Sequence, residues 1–375
     1  MKKVVIAIDS FKGCLPSAEA GKAAAEGIRS VYPECEVICL PIADGGEGML
    51  DVLIMATNGQ EVPISAHDPL MRWRNTYYGI SENGETAFIE MASISGLPLV
   101  PPEKRNPMQT TSYGTGELIR DALERGCRNF IIGIGGSATN DAGLGMLQAL
   151  GFRFLNKEGK ILETGNGKIL MEVVSIDTSF VHPDLRTSHF TVACDVQNPF
   201  CGPEGAAYIF APQKGADRKM VEALDAGMKN FAEVIFHKTG KDISNHPGAG
   251  AAGGMGGSLL AFLNAKLKPG IQLMLETLDF SNKIKGADLI ITGEGKADKQ
   301  TLMGKVPSGI LAEARKQDIP VILLAGNIED SDELQQAGFE GVFSVNPPFI
   351  SLEEAMRPEV ARKNIQQTVE CICKK

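Results

Sequence analysis

The most constraining feature of this chain is a local pattern that recurs near both of its ends. A short apolar, β-branched run gives way to small, glycine-rich or acidic residues and then to a helix-compatible stretch. That succession marks βα units, in which a strand buried on both faces leads through a turn into a covering helix. The clearest runs are residues 4–8, 36–40, 288–292, 321–324 and 341–345, and helical patterns fill residues 18–31, 304–317 and 330–338. Five such strands predict an α/β fold built on a doubly wound parallel sheet. Both ends of the chain supply it, so the middle reads as an insertion. We expect one domain from residues 1–65 and 282–375 and an inserted α+β domain over residues 66–281, a division that 375 residues can fill at ~150 residues per domain.

The middle has its own texture. Residues 73–91 alternate in polarity about Asn83-Gly84, the signal of a β-hairpin. Residues 129–134, a glycine-rich turn and the helix-like residues 142–150 form a further βα-like unit that fits either the outer sheet or the inner domain. A turn at Glu158-Gly159 and a strand over residues 190–194 follow.

Composition removes several function classes. With 43% hydrophobic and 22% charged residues the chain can build a full core, which excludes intrinsic disorder. A net charge of -9 without a dense Lys/Arg cluster argues against nucleic acid as a partner. The eight cysteines follow no zinc or disulfide spacing and read as reduced thiols. The opening apolar run is too short for a signal sequence, and no apolar stretch is long enough to span a bilayer. The expectation is a cytoplasmic protein with no membrane partner.

Open parallel sheets bind ligands beyond the carboxyl ends of their strands, and this chain puts acids there repeatedly. Asp9 follows the first run, Asp44 and Glu47 the second, Asp195 the strand near residue 192, and Glu294 and Asp298 the run near residue 290. One such acid is most often a helix cap. Recurrence at four strand ends favours carboxylates that converge to hold Mg²⁺, position hydroxyls or accept a proton. Lys12, just past the first strand, suits a carboxylate or phosphate. The loop Gly133-Ile134-Gly135-Gly136-Ser137-Ala138-Thr139-Asn140-Asp141-Ala142-Gly143 follows a strand and opens a helix, so its N–H groups and hydroxyls suit an anion. It also holds a partial dinucleotide fingerprint, G-x-G-x-x-A, without a ribose-binding acid downstream. A second loop runs from Thr292 to Thr301, and Gly304-Lys305 is followed by Val306, so no Walker loop is present. The glycine stretch over residues 248–257 reads as close backbone contact with a ligand or another domain. The five histidines stand in no metal spacing. The residues alone point to a two-domain enzyme for a phosphorylated, anionic ligand with Mg²⁺, and leave phosphotransferase and dehydrogenase both open.

The blocks Ala7-Ile8-Asp9-Ser10-Phe11-Lys12-Gly13, Pro41-Ile42-Ala43-Asp44-Gly45-Gly46-Glu47-Gly48, residues 133–143, Asp195-Val196-Gln197-Asn198-Pro199 and Thr292-Gly293-Glu294-Gly295 resemble, in order, those of the bacterial type-1 glycerate kinases. The resemblance implies a flavodoxin-like Rossmann-type domain carrying a second α/β domain. It also implies ATP-dependent, Mg²⁺-assisted phosphorylation of D-glycerate, usually to 2-phosphoglycerate, at the end of glyoxylate, glycolate or sugar-acid degradation. On that basis ATP is expected on Gly135, Gly136, Ser137, Thr139, Asn140 and Asp141, and on Gly293 and Gly295. Glycerate is expected near Ser10, Lys12, Gly45, Gly46 and Glu47, with Asp195 as first choice of base, Asp44 as second, and Glu294 or Asp298 on Mg²⁺. A monomer or homodimer is expected. The rival classes are a nicotinamide-dependent oxidoreductase of small hydroxy acids and a non-catalytic ligand sensor.

Overall fold

The computed structural model describes residues 1–46 and 48–374. Its strands run in chain order β1 (Lys3–Ile8), β2 (Glu36–Cys39), β3 (Gln60–His67), β4 (Trp73–Ile80), β5 (Thr86–Glu90), β6 (Asn129–Gly133), β7 (Arg153–Leu155), β8 (Ser175–Asp177), β9 (His189–Ala193), β10 (Lys266–Lys268), β11 (Leu289–Ala297), β12 (Val321–Ile328) and β13 (Gly341–Ser344). The chain forms two compact units, one from Met1–Val52 with Ile271–Lys375 and the other from Leu53–Gly270.

In the first unit, five parallel strands lie in the order β13-β12-β11-β1-β2. Numbered by their sequence within the unit, that is the flavodoxin-like order, and the direction of winding reverses between β1 and β11. Val4, Ile6 and Ile8 face a core shared with Ala20, Ala24 and Ile28 of the helix Ser17–Val31 and Ile365 and Val369 of the helix Pro358–Cys373. Val5 and Ala7, on the opposite face, are buried as well. Burial on both faces is why β1 reads as an unbroken apolar run.

In the second unit, six strands lie in the order β10-β9-β6-β5-β4-β3. β3, β4 and β5 pair antiparallel, while β5, β6, β9 and β10 pair parallel. The hairpin about Asn83-Gly84 is present as β4 and β5, and Gly84 adopts the positive φ of 74° that its turn requires. The βα unit over residues 129–150 joins this inner sheet, because β6 pairs with β5 on one side and β9 on the other. Phe130 and Phe190 stack across that second pairing, with ring centroids 4.6 Å apart.

The chain crosses between units after Val52 and Gly270, whereas the sequence placed the crossings after residues 65 and 281. β3 pairs with β4 along its whole length, which ties it to the second unit. Ile271 packs against Gly309 of the helix Val306–Arg315, which ties it to the first. The glycine stretch over residues 248–257 packs closely against the fold: a Cβ on Gly253 would stand 2.1 Å from the Thr139 carbonyl oxygen, and the Gly253 carbonyl accepts from the Ala142 N–H. The stretch backs the loop of residues 134–143 within its own unit.

Candidate active site

The acids of the first unit gather where its sheet reverses direction. The Ser17 hydroxyl donates to the Ile8 carbonyl at 2.6 Å and accepts from the Ile42 N–H at 2.9 Å, so one buried side chain fixes the exits of both β1 and β2. Asp9 leaves β1 with its N–H on the Gly293 carbonyl of β11 at 2.9 Å. Its carboxylate accepts from the Ser10 N–H at 2.7 Å and is only 6% exposed. Burial, reinforced by the charges of Asp44 and Glu294, pushes this carboxyl from 3.8 up to about 7, and the Ser10 N–H and Lys12 only partly oppose it. A carboxyl that titrates near neutrality in a cavity is suited to proton transfer.

Asp44 accepts from the Gly46 N–H at 3.0 Å and from the Lys12 ammonium at 3.4 Å. Gly45 takes a φ of 92°, which holds the loop in its turn. Lys12 is largely exposed, so its pair with Asp44 adds little stability and leaves the ammonium near solvent. Glu47, expected in this loop, lies outside the described residues. Glu294 is buried on β11, where Oε1 accepts from the Thr301 hydroxyl at 2.6 Å and Oε2 stands 3.6 Å from the Lys305 ammonium. Burial raises its pKa despite both partners. Asp298 does what a strand-end acid most often does: Oδ1 accepts from the Gln300 N–H at 2.9 Å and caps the short turn Lys299–Leu302.

Asp9, Ser10, Lys12, Asp44, Glu294, Gly295 and Lys305 line one cavity of about 710 Å³. Gly293 has a packing reason, since a Cβ there would stand 2.5 Å from the Leu324 carbonyl oxygen. At Gly295 a Cβ would meet nothing closer than 3.5 Å, so packing does not explain the missing side chain on this cavity wall.

The remaining expected residues belong to the second unit, at the carboxyl ends of the adjacent parallel strands β6 and β9. Gly135 and Gly136 are exposed, whereas Ser137, Thr139, Asn140 and Asp141 are buried. Asp141 uses its oxygens on the loop's own groups. Oδ2 accepts from the Ser112 N–H and hydroxyl and the Gly145 N–H, and Oδ1 from the Gly143 N–H. The sequence missed Lys214, which is fully buried and donates to the Ser137 hydroxyl at 2.7 Å and the Thr139 carbonyl at 2.6 Å. Burial pushes this ammonium down to about 7, with Asp141 opposing. Among the described residues, Thr139 Oγ1 and Asn140 Oδ1 are buried without a hydrogen-bond partner, so the loop holds polar atoms its own fold does not satisfy. Asp195 is exposed after β9, with Oδ1 on the Gly270 N–H at 2.8 Å.

Among the described residues no three histidine, cysteine or acidic side chains cluster as a metal site, and no helix is long and apolar enough to cross a membrane. The model of the glycerate kinase family matches residues 4–375. A glycerate kinase of Haemophilus influenzae is 48% identical over 92% of this chain and 91% of its own length. A glycerate 2-kinase of Escherichia coli K12 is 47% identical over 95% and 93%. A crystal structure described as glycerate kinase 2 of Salmonella typhimurium LT2 superposes with a TM-score of 0.91 at 43% identity, covering 100% of this chain and 97% of that one.

Proposed function

The chain belongs to the glycerate kinase family and is a kinase, and from that premise we propose that it moves the γ-phosphoryl group of ATP to the C2 hydroxyl of D-glycerate, giving 2-phosphoglycerate and ADP. The observation that carries the chemistry is the buried Asp9 carboxyl beside Asp44 and Glu294 in the cavity of the first unit. Phosphoryl transfer asks chiefly for positioning and charge neutralisation, plus a group to take the hydroxyl proton. Asp9 is the best placed proton acceptor, because burial holds its basicity near the working pH. Asp195, expected in that role, stands in the second unit, where its Oδ1 accepts from the Gly270 N–H.

Lys12 and Ser10, with the Gly45-Gly46 backbone, suit the glycerate carboxylate and its neighbouring hydroxyl. The ammonium of Lys305 and the backbone of Gly295 suit phosphate oxygens. Mg²⁺ fits the donor chemistry, since it usually takes one or two carboxylates along with phosphates and water. Glu294 and Asp44 are the carboxylates we assign to it, in preference to Asp298, whose oxygen caps a turn. When bound, Mg²⁺ supplies neutralisation of the phosphate charge. The reaction belongs at the end of glyoxylate, glycolate or sugar-acid degradation, in the cytoplasm, carried out by a monomer or homodimer.

The test is ADP release from ATP and Mg²⁺ with D-glycerate, its enantiomer and other small hydroxy acids, followed by enolase without phosphoglycerate mutase. D-Glycerate-dependent ADP with immediate phosphoenolpyruvate supports the reading. ADP without phosphoenolpyruvate moves the transfer to the C3 hydroxyl, and no ADP with any acid removes the kinase.

A further inference from the structure

The cavity of the first unit is larger and more apolar than a three-carbon acid can use. At about 710 Å³ it falls within the ~300–1,000 Å³ of pockets for drug-sized ligands. Beyond the charged end described above, its walls are Val345, Pro347, Pro348, Ile350 and Met356. D-Glycerate carries a carboxylate and two hydroxyls and has almost no apolar surface to bury there. Of the two substrates of a kinase for a small acid, only the nucleotide has a flat apolar body. We propose that the apolar half of this cavity, formed by the segment after β13, is the subsite for the purine base of the nucleotide. The proposal rests on the kinase reading and adds the place of the base to it.

The segment is held as a wall would need to be. The Asn346 side-chain N–H donates to the Gly326 carbonyl of β12 at 2.8 Å, and its Oδ1 accepts from Asn364 of the last helix at 3.2 Å. Ser344 donates to the Asn346 carbonyl at 3.2 Å. Sheet order then lays out the ligand. The apolar wall lies beyond β13, Gly295 and Glu294 on β11, and Asp9 after β1, so base, phosphates and acceptor hydroxyl follow one another along the carboxyl edge. Three strand spacings of ~4.8 Å separate β13 from β1, about 14 Å, a span suited to an extended nucleoside triphosphate.

Two measurements test the subsite. Ile350→Asp and Met356→Asp each put a carboxylate against the base, and are expected to raise KM for ATP at least tenfold while KM for D-glycerate stays within threefold. In the unaltered chain, Cys14 lines the same cavity beside Ala355, whereas Cys371 is exposed and does not line it. Alkylation by N-ethylmaleimide at pH 8.5, followed by peptide mapping, is expected to slow at least fivefold at Cys14 with ADP. Neither tripolyphosphate nor D-glycerate should slow it, and Cys371 should react equally throughout. The proposal is overturned if both variants keep KM for ATP within twofold, if ADP leaves Cys14 unprotected, or if D-glycerate alone protects it. In each of these cases D-glycerate-dependent ADP formation still leaves the kinase reading standing. If no acid supports ADP formation, the kinase reading fails and takes the subsite with it.

Discussion

Replacing Asp9 with asparagine should make the protein more stable and less active at once. The interval from 3.8 to about 7 over which folding shifts the Asp9 carboxyl, at about 1.4 kcal/mol per pH unit, corresponds to about 4 kcal/mol. The sign follows from proton binding. Between those values the folded chain holds a proton on Asp9 that the unfolded chain has lost, so the favourable contribution is complete below pH 3.8, declines through the interval and is gone above about 7. Asparagine keeps the shape and the acceptor for the Ser10 N–H but carries no charge beside Asp44 and Glu294. Urea unfolding of both proteins in magnesium-free buffer with a chelator isolates the effect. The stability advantage of Asp9→Asn over the unaltered chain should grow by about 2.5 kcal/mol between pH 5 and pH 8. Glycerate-dependent turnover should fall at least a hundredfold at pH 8, the contribution of a positioned base. Parallel stability curves across that range would show that Asp9 ionises normally and would refute the reasoning.

Three further outcomes follow from the same geometry. Lys214 is pushed from 10.5 down to about 7, so the unaltered chain should gain about 2 kcal/mol on Lys214→Met between pH 7 and pH 9, and a constant difference in urea unfolding would count against a buried, unprotonated amine. Gly326→Ala places a Cβ 2.7 Å from the Gly295 carbonyl oxygen and should cost about 1–3 kcal/mol in unfolding free energy, whereas a loss under about 0.5 kcal/mol would mean the strands separate freely there. Glu294→Gln removes half of the acidic pair assigned to Mg²⁺ and should raise the half-saturating Mg²⁺ concentration at least tenfold in the ADP-release assay; an unchanged requirement would take Glu294 out of that role.

What could be read from the sequence depended on whether a residue's partners are local. Three of the five outer strands, β1, β11 and β12, were legible because they are buried on both faces and their side chains form continuous apolar runs. The strand ends announced Asp9, Asp44 and Glu294, which line one cavity, because parallel strands expose their carboxyl ends on one side. The place of residues 129–150 was not legible, since pairing of β6 with β5 and β9 joins segments far apart in the chain. Lys214 gave no signal either: it meets Ser137 across 77 positions, from the end of the short turn Pro212–Lys214. Asp141 looks the same in sequence whether its oxygens face a phosphate or, as here, the N–H groups of Ser112, Gly143 and Gly145. Glycines carry the same ambiguity: Gly293 is required by the Leu324 carbonyl and Gly295 by nothing in the fold.

The most direct test of the central claim is the ³¹P NMR spectrum of the product formed from D-glycerate, ATP and Mg²⁺. Transfer to the C2 hydroxyl gives a phosphomonoester split into a doublet by the single C2 proton, growing in step with ADP, and that is the result expected. A triplet from the two C3 protons would contradict the site of transfer, and inorganic phosphate as the sole product would contradict the kinase.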